Sequence, residues 1–90
     1  GYLPKDKSER TAKIKQMESA SRRGQTQIFM ETPFRNDALL SDLVQTLNGN
    51  SILTIATNLQ TVNQKITSKS ILRLKKALPT IGKMPTVFYL

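Results

Sequence analysis

Glu31, Thr32 and Arg35 fall within the run Glu31-Thr32-Pro33-Phe34-Arg35 and bring together an acid, a hydroxyl and a guanidinium. Such a set can orient a ligand's polar edge or position a turn beside it. Two other runs stand out by type. Ala56-Thr57-Asn58-Leu59-Gln60 offers a small residue followed by amide donors and acceptors, and Met84-Pro85-Thr86 leads into a final apolar run. Each lies where an expected strand meets a loop, and in open α/β sheets ligands bind outside the carboxyl ends of strands. Much other chemistry is excluded. The chain has no histidine and no cysteine, so the commonest general base, the thiolate nucleophile and the commonest metal ligands are missing together. The glycines are scattered at Gly1, Gly24, Gly49 and Gly82, so no glycine-rich phosphate loop exists. Asp6, Glu9, Glu18, Asp37 and Asp42 fall on helix starts or polar faces, where caps and solvated charge account for them. No residue is singled out as catalytic, and no metal set is expected.

The elements that must position these runs can be read from periodicity. Asp6 followed by Glu9 has capping-box spacing, and Ile14, Met17 and Ala20 form a thin apolar stripe. These predict a helix from about Lys7 to Ser21, stopped by Gly24. Gln25 to Glu31 reads as a strand buried on both faces, because Ile28, Phe29 and Met30 run together. Thr32-Pro33 ends it. Asn36 or Asp37 caps a second helix, with Leu40, Leu43, Val44 and Leu47 at core spacing. Ser51 to Thr57 is a second strand, Asn58 to Gln64 a polar turn, and Lys65-Ile66-Thr67 a short edge strand. Ser68 or Ser70 caps a third helix, which turns Ile71, Leu74, Ala77 and Leu78 inward and stops at Pro79. Thr86 to Leu90 is the last strand. The alternation predicts an α/β (α+β) domain: a mixed sheet of about four to five strands with three helices packed on its faces.

A 90-residue chain is one domain at most. Its net charge of +8 suits a nucleic-acid partner, and equally a fragment whose other half is acidic. No apolar stretch approaches the roughly 20 residues of a membrane span, and no secretory signal is visible. The expected home is the cytoplasm.

Together, Gly1-Tyr2-Leu3-Pro4, the basic helix with Lys7 and Arg10, and Phe29-Met30-Glu31-Thr32-Pro33-Phe34-Arg35 resemble the C-terminal domain of the tetrapyrrole methylase family. The nearest branch is the ribosomal small-subunit RNA cytidine 2′-O-methyltransferases, whose strand ends Phe-Tyr-Glu-Ser-Pro-His-Arg. Phe29, Glu31, Pro33 and Arg35 match that pattern, while Met30, Thr32 and Phe34 replace Tyr, Ser and His. The ribosomal branch usually carries Ala-Arg-Glu-Leu-Thr-Lys after the next strand. Here the run is Ala56-Thr57-Asn58-Leu59-Gln60-Thr61, which keeps the alanine and leucine and loses the charges.

The resemblance implies a two-domain methyltransferase that uses S-adenosylmethionine, with residues 1–90 as its C-terminal domain and the N-terminal domain absent. Gly1 to Pro4 would then be the hinge between the two. Cofactor contacts are expected from Met30, Glu31 and Thr32, from Ala56, Asn58 and Leu59, and from Pro85, Thr86 and Val87, several through the backbone. Arg35 is expected to position the turn or meet substrate. The methyl acceptor would be a tetrapyrrole or an RNA ribose, and the other partners the missing domain and a second copy in a homodimer. Surface apolar area is expected around Met30, Leu59 and Val87. Two other readings are a small basic RNA-binding module and a dimerisation domain. Against the first, no aromatic pair occupies alternate strand positions as a stacking platform does.

Overall fold

The computed structural model describes residues 3–90, so Gly1 and Tyr2 of the expected hinge lie outside the described residues. Helix α1 (Lys7–Arg22) begins where Asp6 caps it: Asp6 Oδ2 accepts from the Glu9 backbone N–H at 3.0 Å. Its stripe buries Ile14 and Met17. Gly24 ends the helix with φ +88°, a left-handed value that an L side chain adopts only under strain.

Strand β1 is only Ile28–Phe29, shorter than the run expected from Gln25 to Glu31. Gln27 and Leu90 still exchange both backbone hydrogen bonds, at 2.9 and 2.8 Å, but the Gln25 N–H turns back to Ala20 O instead. After the 3₁₀ turn Pro33–Arg35 comes α2 (Asn36–Thr46), with Leu39, Leu40, Leu43 and Val44 buried. Neither Asn36 nor Asp37 is its N-cap. Arg35 holds that position, without a side-chain cap bond, and the two polar residues reach across the fold instead.

Strands β2 (Ile52–Thr57) and β3 (Lys65–Ser70) form a hairpin in full register, from Ile52 opposite Ser70 to Thr57 opposite Lys65. β3 is thus twice the expected length. Ser70 caps α3 (Ile71–Lys76), accepting from the Arg73 N–H at 3.3 Å. Ala77 and Leu78 do not extend that helix and are exposed, because proline at 79 drives the preceding residue out of the helical region. Strand β4 (Thr86–Tyr89) completes the sheet in the order β1-β4-β2-β3.

The α/β class, with four strands and three helices, is as expected from the sequence. In detail, every strand pair is antiparallel rather than mixed. The short Asn58–Gln64 connection can return the chain only in that sense. The buried helix side chains join one cluster with Phe29, Leu53, Ile55 and Phe88, so the helices gather on one face of the sheet. That leaves Ile28 54% exposed and corrects the expectation of a strand buried on both sides. Phe29 and Phe88 stack at 5.7 Å between ring centroids in the middle of the core. No described helix is long and apolar enough to cross a membrane.

Candidate functional site

Three chain segments reach the same end of the sheet: the exit of β1, the exit of β2 and the entry to β4. They enclose a hollow of about 370 Å³. The exit of β1 contributes Met30 and Glu31, β2 contributes Ala56 with Asn58 and Leu59 beyond it, and the start of β4 contributes Thr86 and Val87 with Pro85 before them. All of the residues expected to contact cofactor are therefore neighbours except Thr32, which is exposed and outside the lining. Arg35 is also exposed and outside it. Pro33 and Thr61 line the hollow and were not expected from the sequence.

Hydrogen bonds hold these walls together. The Asn58 N–H donates to Pro85 O at 2.9 Å and ties the end of β2 to the entry of β4. Asn58 and Gln60 have φ of +51° and +62°, so the chain turns sharply away from the strand. The Thr61 hydroxyl donates back to Asn58 O at 2.6 Å, and Gln64 Oε1 accepts from the Gln60 N–H at 2.8 Å. Fully buried Asn36 at the start of α2 donates through Nδ2 to Met84 O at 2.8 Å and to Gly82 O at 3.2 Å. Asp37 beside it accepts from the Ile81 and Gly82 N–H groups at 2.7 and 3.0 Å. One helix terminus therefore fixes the loop that delivers Pro85, Thr86 and Val87.

The Glu31 side chain is not free to meet a ligand. Its Oε2 lies 3.1 Å from Nη1 of Arg10, and Arg10 Nε lies 3.0 Å from Oδ2 of Asp42. The Arg10 and Glu31 side chains are only 4% and 7% exposed. Arg10 Nε and Glu31 Oε2 stand at ion-pair distance without hydrogen-bond alignment, and Arg10 Nη2 has no partner. Glu31 Oε1 accepts from the Thr32 N–H at 2.9 Å. Buried charge thus anchors the exit of β1 and leaves the hollow a wall of backbone and apolar surface there. A signal for Arg10 was present in the sequence: it sits four residues before Ile14 and seven before Met17, on the buried stripe.

Met30 and Val87 are half-buried and Leu59 is 37% exposed, so the expected apolar surface around the hollow is present. A larger, shallower groove of about 730 Å³ runs between the last turn of α1 and Ile52, Thr54 and Tyr89, at the opposite end of β4. None of the expected site residues lines it. Among the described residues no cluster of acidic side chains is placed to hold a metal ion.

This sheet, with its helices on one face, has counterparts among solved structures. One solved structure it resembles is the crystal structure of the methyltransferase CobJ, with a TM-score of 0.56 and 18% sequence identity. The match covers 99% of this chain and 38% of CobJ, so the chain spans well under half of that protein's length. At this identity the likeness is one of fold. No protein-family profile matches the sequence, and no curated protein does.

Proposed function

We propose that this chain is the cofactor-binding C-terminal half of an S-adenosylmethionine-dependent methyltransferase of the tetrapyrrole methylase type. The hollow is its share of the cofactor site. The observation that carries this reading is the convergence at one sheet end of Met30, Ala56, Leu59, Pro85 and Val87, residues singled out from three separate sequence segments.

The residues present fit the group. An adenosine needs an apolar slot with polar atoms along its edge, and Met30, Ala56, Leu59 and Val87 supply the slot while Asn58 and Thr61 supply polar atoms. The volume lies within the roughly 300–1,000 Å³ of small-molecule sites. When bound, S-adenosylmethionine supplies a methyl group on a sulfonium, which passes to a nucleophile by in-line displacement. The work of this chain is then to hold and orient, because alignment of two bound reactants supplies much of the rate. Asn36 and Asp37 keep the Pro85–Val87 wall in place, and Arg10 keeps the exit of β1 in place. The acceptor, a tetrapyrrole or an RNA ribose, is held mainly by the N-terminal domain of the complete enzyme.

Calorimetric titration of S-adenosylmethionine into the full-length protein tests this. Ala56→Phe, which fills the hollow, is expected to weaken binding at least tenfold while the far-ultraviolet dichroism is retained. Affinity unchanged by that substitution sinks the assignment of the hollow. The 90-residue chain alone is expected to bind at least 100-fold more weakly than the full-length protein, and equal affinity sinks the divided site.

A further inference from the structure

β3 is the longest open edge of the sheet. Its inner side pairs with β2 along all six residues, and its outer side has no partner among the described residues. Every second residue of such an edge directs its N–H and C=O outward, unpaired. Beside it lies a narrow slot of about 120 Å³ on the helix side of the sheet. Ile55, Leu74 and Ile81 form its apolar base, and Lys65, Thr67 and Lys69 form its rim. These three rim residues alternate along β3 and so share one face.

The charge around this edge is one-sided. After Asp42 the sequence has no carboxylate, yet it places Lys65 and Lys69 on β3 and Arg73, Lys75 and Lys76 on α3. No ion pair neutralises any of them among the described residues. Lysine on an open edge commonly deters pairing between copies of a sheet, and here two β3 edges brought together would set lysine against lysine. A strand of opposite charge meets no such barrier.

We infer that the outer edge of β3 accepts an extended acidic segment of a partner protein by strand addition, with one branched aliphatic side chain seated in the slot. The geometry specifies a pattern. A residue opposite Thr67 faces the slot, and residues two before and two after it face Lys65 and Lys69. The partner therefore reads acid, any residue, aliphatic, any residue, acid. The slot is slightly smaller than the roughly 150 Å³ that admits a benzene ring, so it suits leucine or valine rather than an aromatic. A single-stranded nucleic acid fits less well, because no aromatic side chain lines the slot or the strand to stack on a base. This site lies apart from the hollow and does not depend on the methyl-transfer reading.

Fluorescence anisotropy tests the inference with a labelled peptide in which glutamate, leucine and glutamate alternate with threonine. The 90-residue chain should bind it saturably. Replacing the glutamates by lysine, replacing the leucine by glycine, or methylating alternate backbone nitrogens should each weaken binding at least tenfold. On the protein side, Lys65→Glu with Lys69→Glu, and separately Ala77→Trp across the mouth of the slot, should do the same. These positions are exposed, and the peptide controls stand even if a variant fails to fold. Equal binding of the backbone-methylated peptide overturns strand addition. Tighter binding of an oligouridylate than of the peptide, or self-association of the chain through β3, overturns the choice of partner.

Discussion

Replacing Arg10 by methionine removes the only cation that pairs with Glu31 and Asp42 among the described residues and keeps a similar apolar stem. Glu31 would then be a carboxylate 7% exposed with no opposing charge, while Asp42, at 29%, keeps some access to water. Breaking a buried pair by deleting one partner costs about 3–5 kcal/mol, most of it from the stranded charge. Asp42, being partly solvated, adds at most about 1 kcal/mol. The imperfect alignment of the Arg10 contacts argues for the lower half of the range, so about 3–4 kcal/mol is expected. A chain of this size has roughly 5–13 kcal/mol to lose. At about 4–8 °C per kcal/mol, the midpoint of thermal unfolding should fall by roughly 12–30 °C. Adding Glu31→Gln removes the stranded charge, and the double variant should recover more than half of the loss. The assay is thermal and urea unfolding followed by circular dichroism, read as a double-mutant cycle. A cost below about 1 kcal/mol for Arg10→Met, or a double variant no more stable than the single one, refutes the reasoning.

Asn36→Leu removes the buried amide that donates to Gly82 O and Met84 O, and should cost about 2–3 kcal/mol. Amide exchange across residues 82–88 should accelerate more than across α1, and uniform acceleration would count against a local staple. Gly24→Ala meets no steric neighbour but forces a side chain onto φ +88°, so a loss of about 1 kcal/mol is expected in urea unfolding. A gain in stability would show that the helix stop is not under conformational demand.

The sequence spoke most clearly where one short-range rule decided the outcome. Leu40, Leu43, Val44 and Leu47 are all buried because helical spacing puts them on one face and nothing competes. Asp6 caps because its partner amide is three residues away. The run Ile28-Phe29-Met30 misled, since apolar content does not say whether a sheet is covered on one side or two, and here one face is open. Asn36 and Asp37 were assigned to the helix start that lay nearest, while their partners stand 44 to 48 residues away. The hollow was legible as three separate strand ends. That they meet depends on β4 lying between β1 and β2, which no local pattern encodes.

That placement of β4 orders events in time. Residues 86–89 are the last of the four described strands to be made, yet they occupy an interior lane of the sheet. A growing chain can close the β2–β3 hairpin and start α2 early, because those contacts are local. β1 has no lane to join until β4 arrives, and its stacking partner for Phe29 is Phe88. Before that, Phe29 lacks the ring on which it stacks. The hollow borrows one wall from Pro85, Thr86 and Val87, which a chain ending before residue 85 lacks. A chain cut before residue 86 therefore keeps the β2–β3 hairpin but leaves the lane between β1 and β2 unfilled.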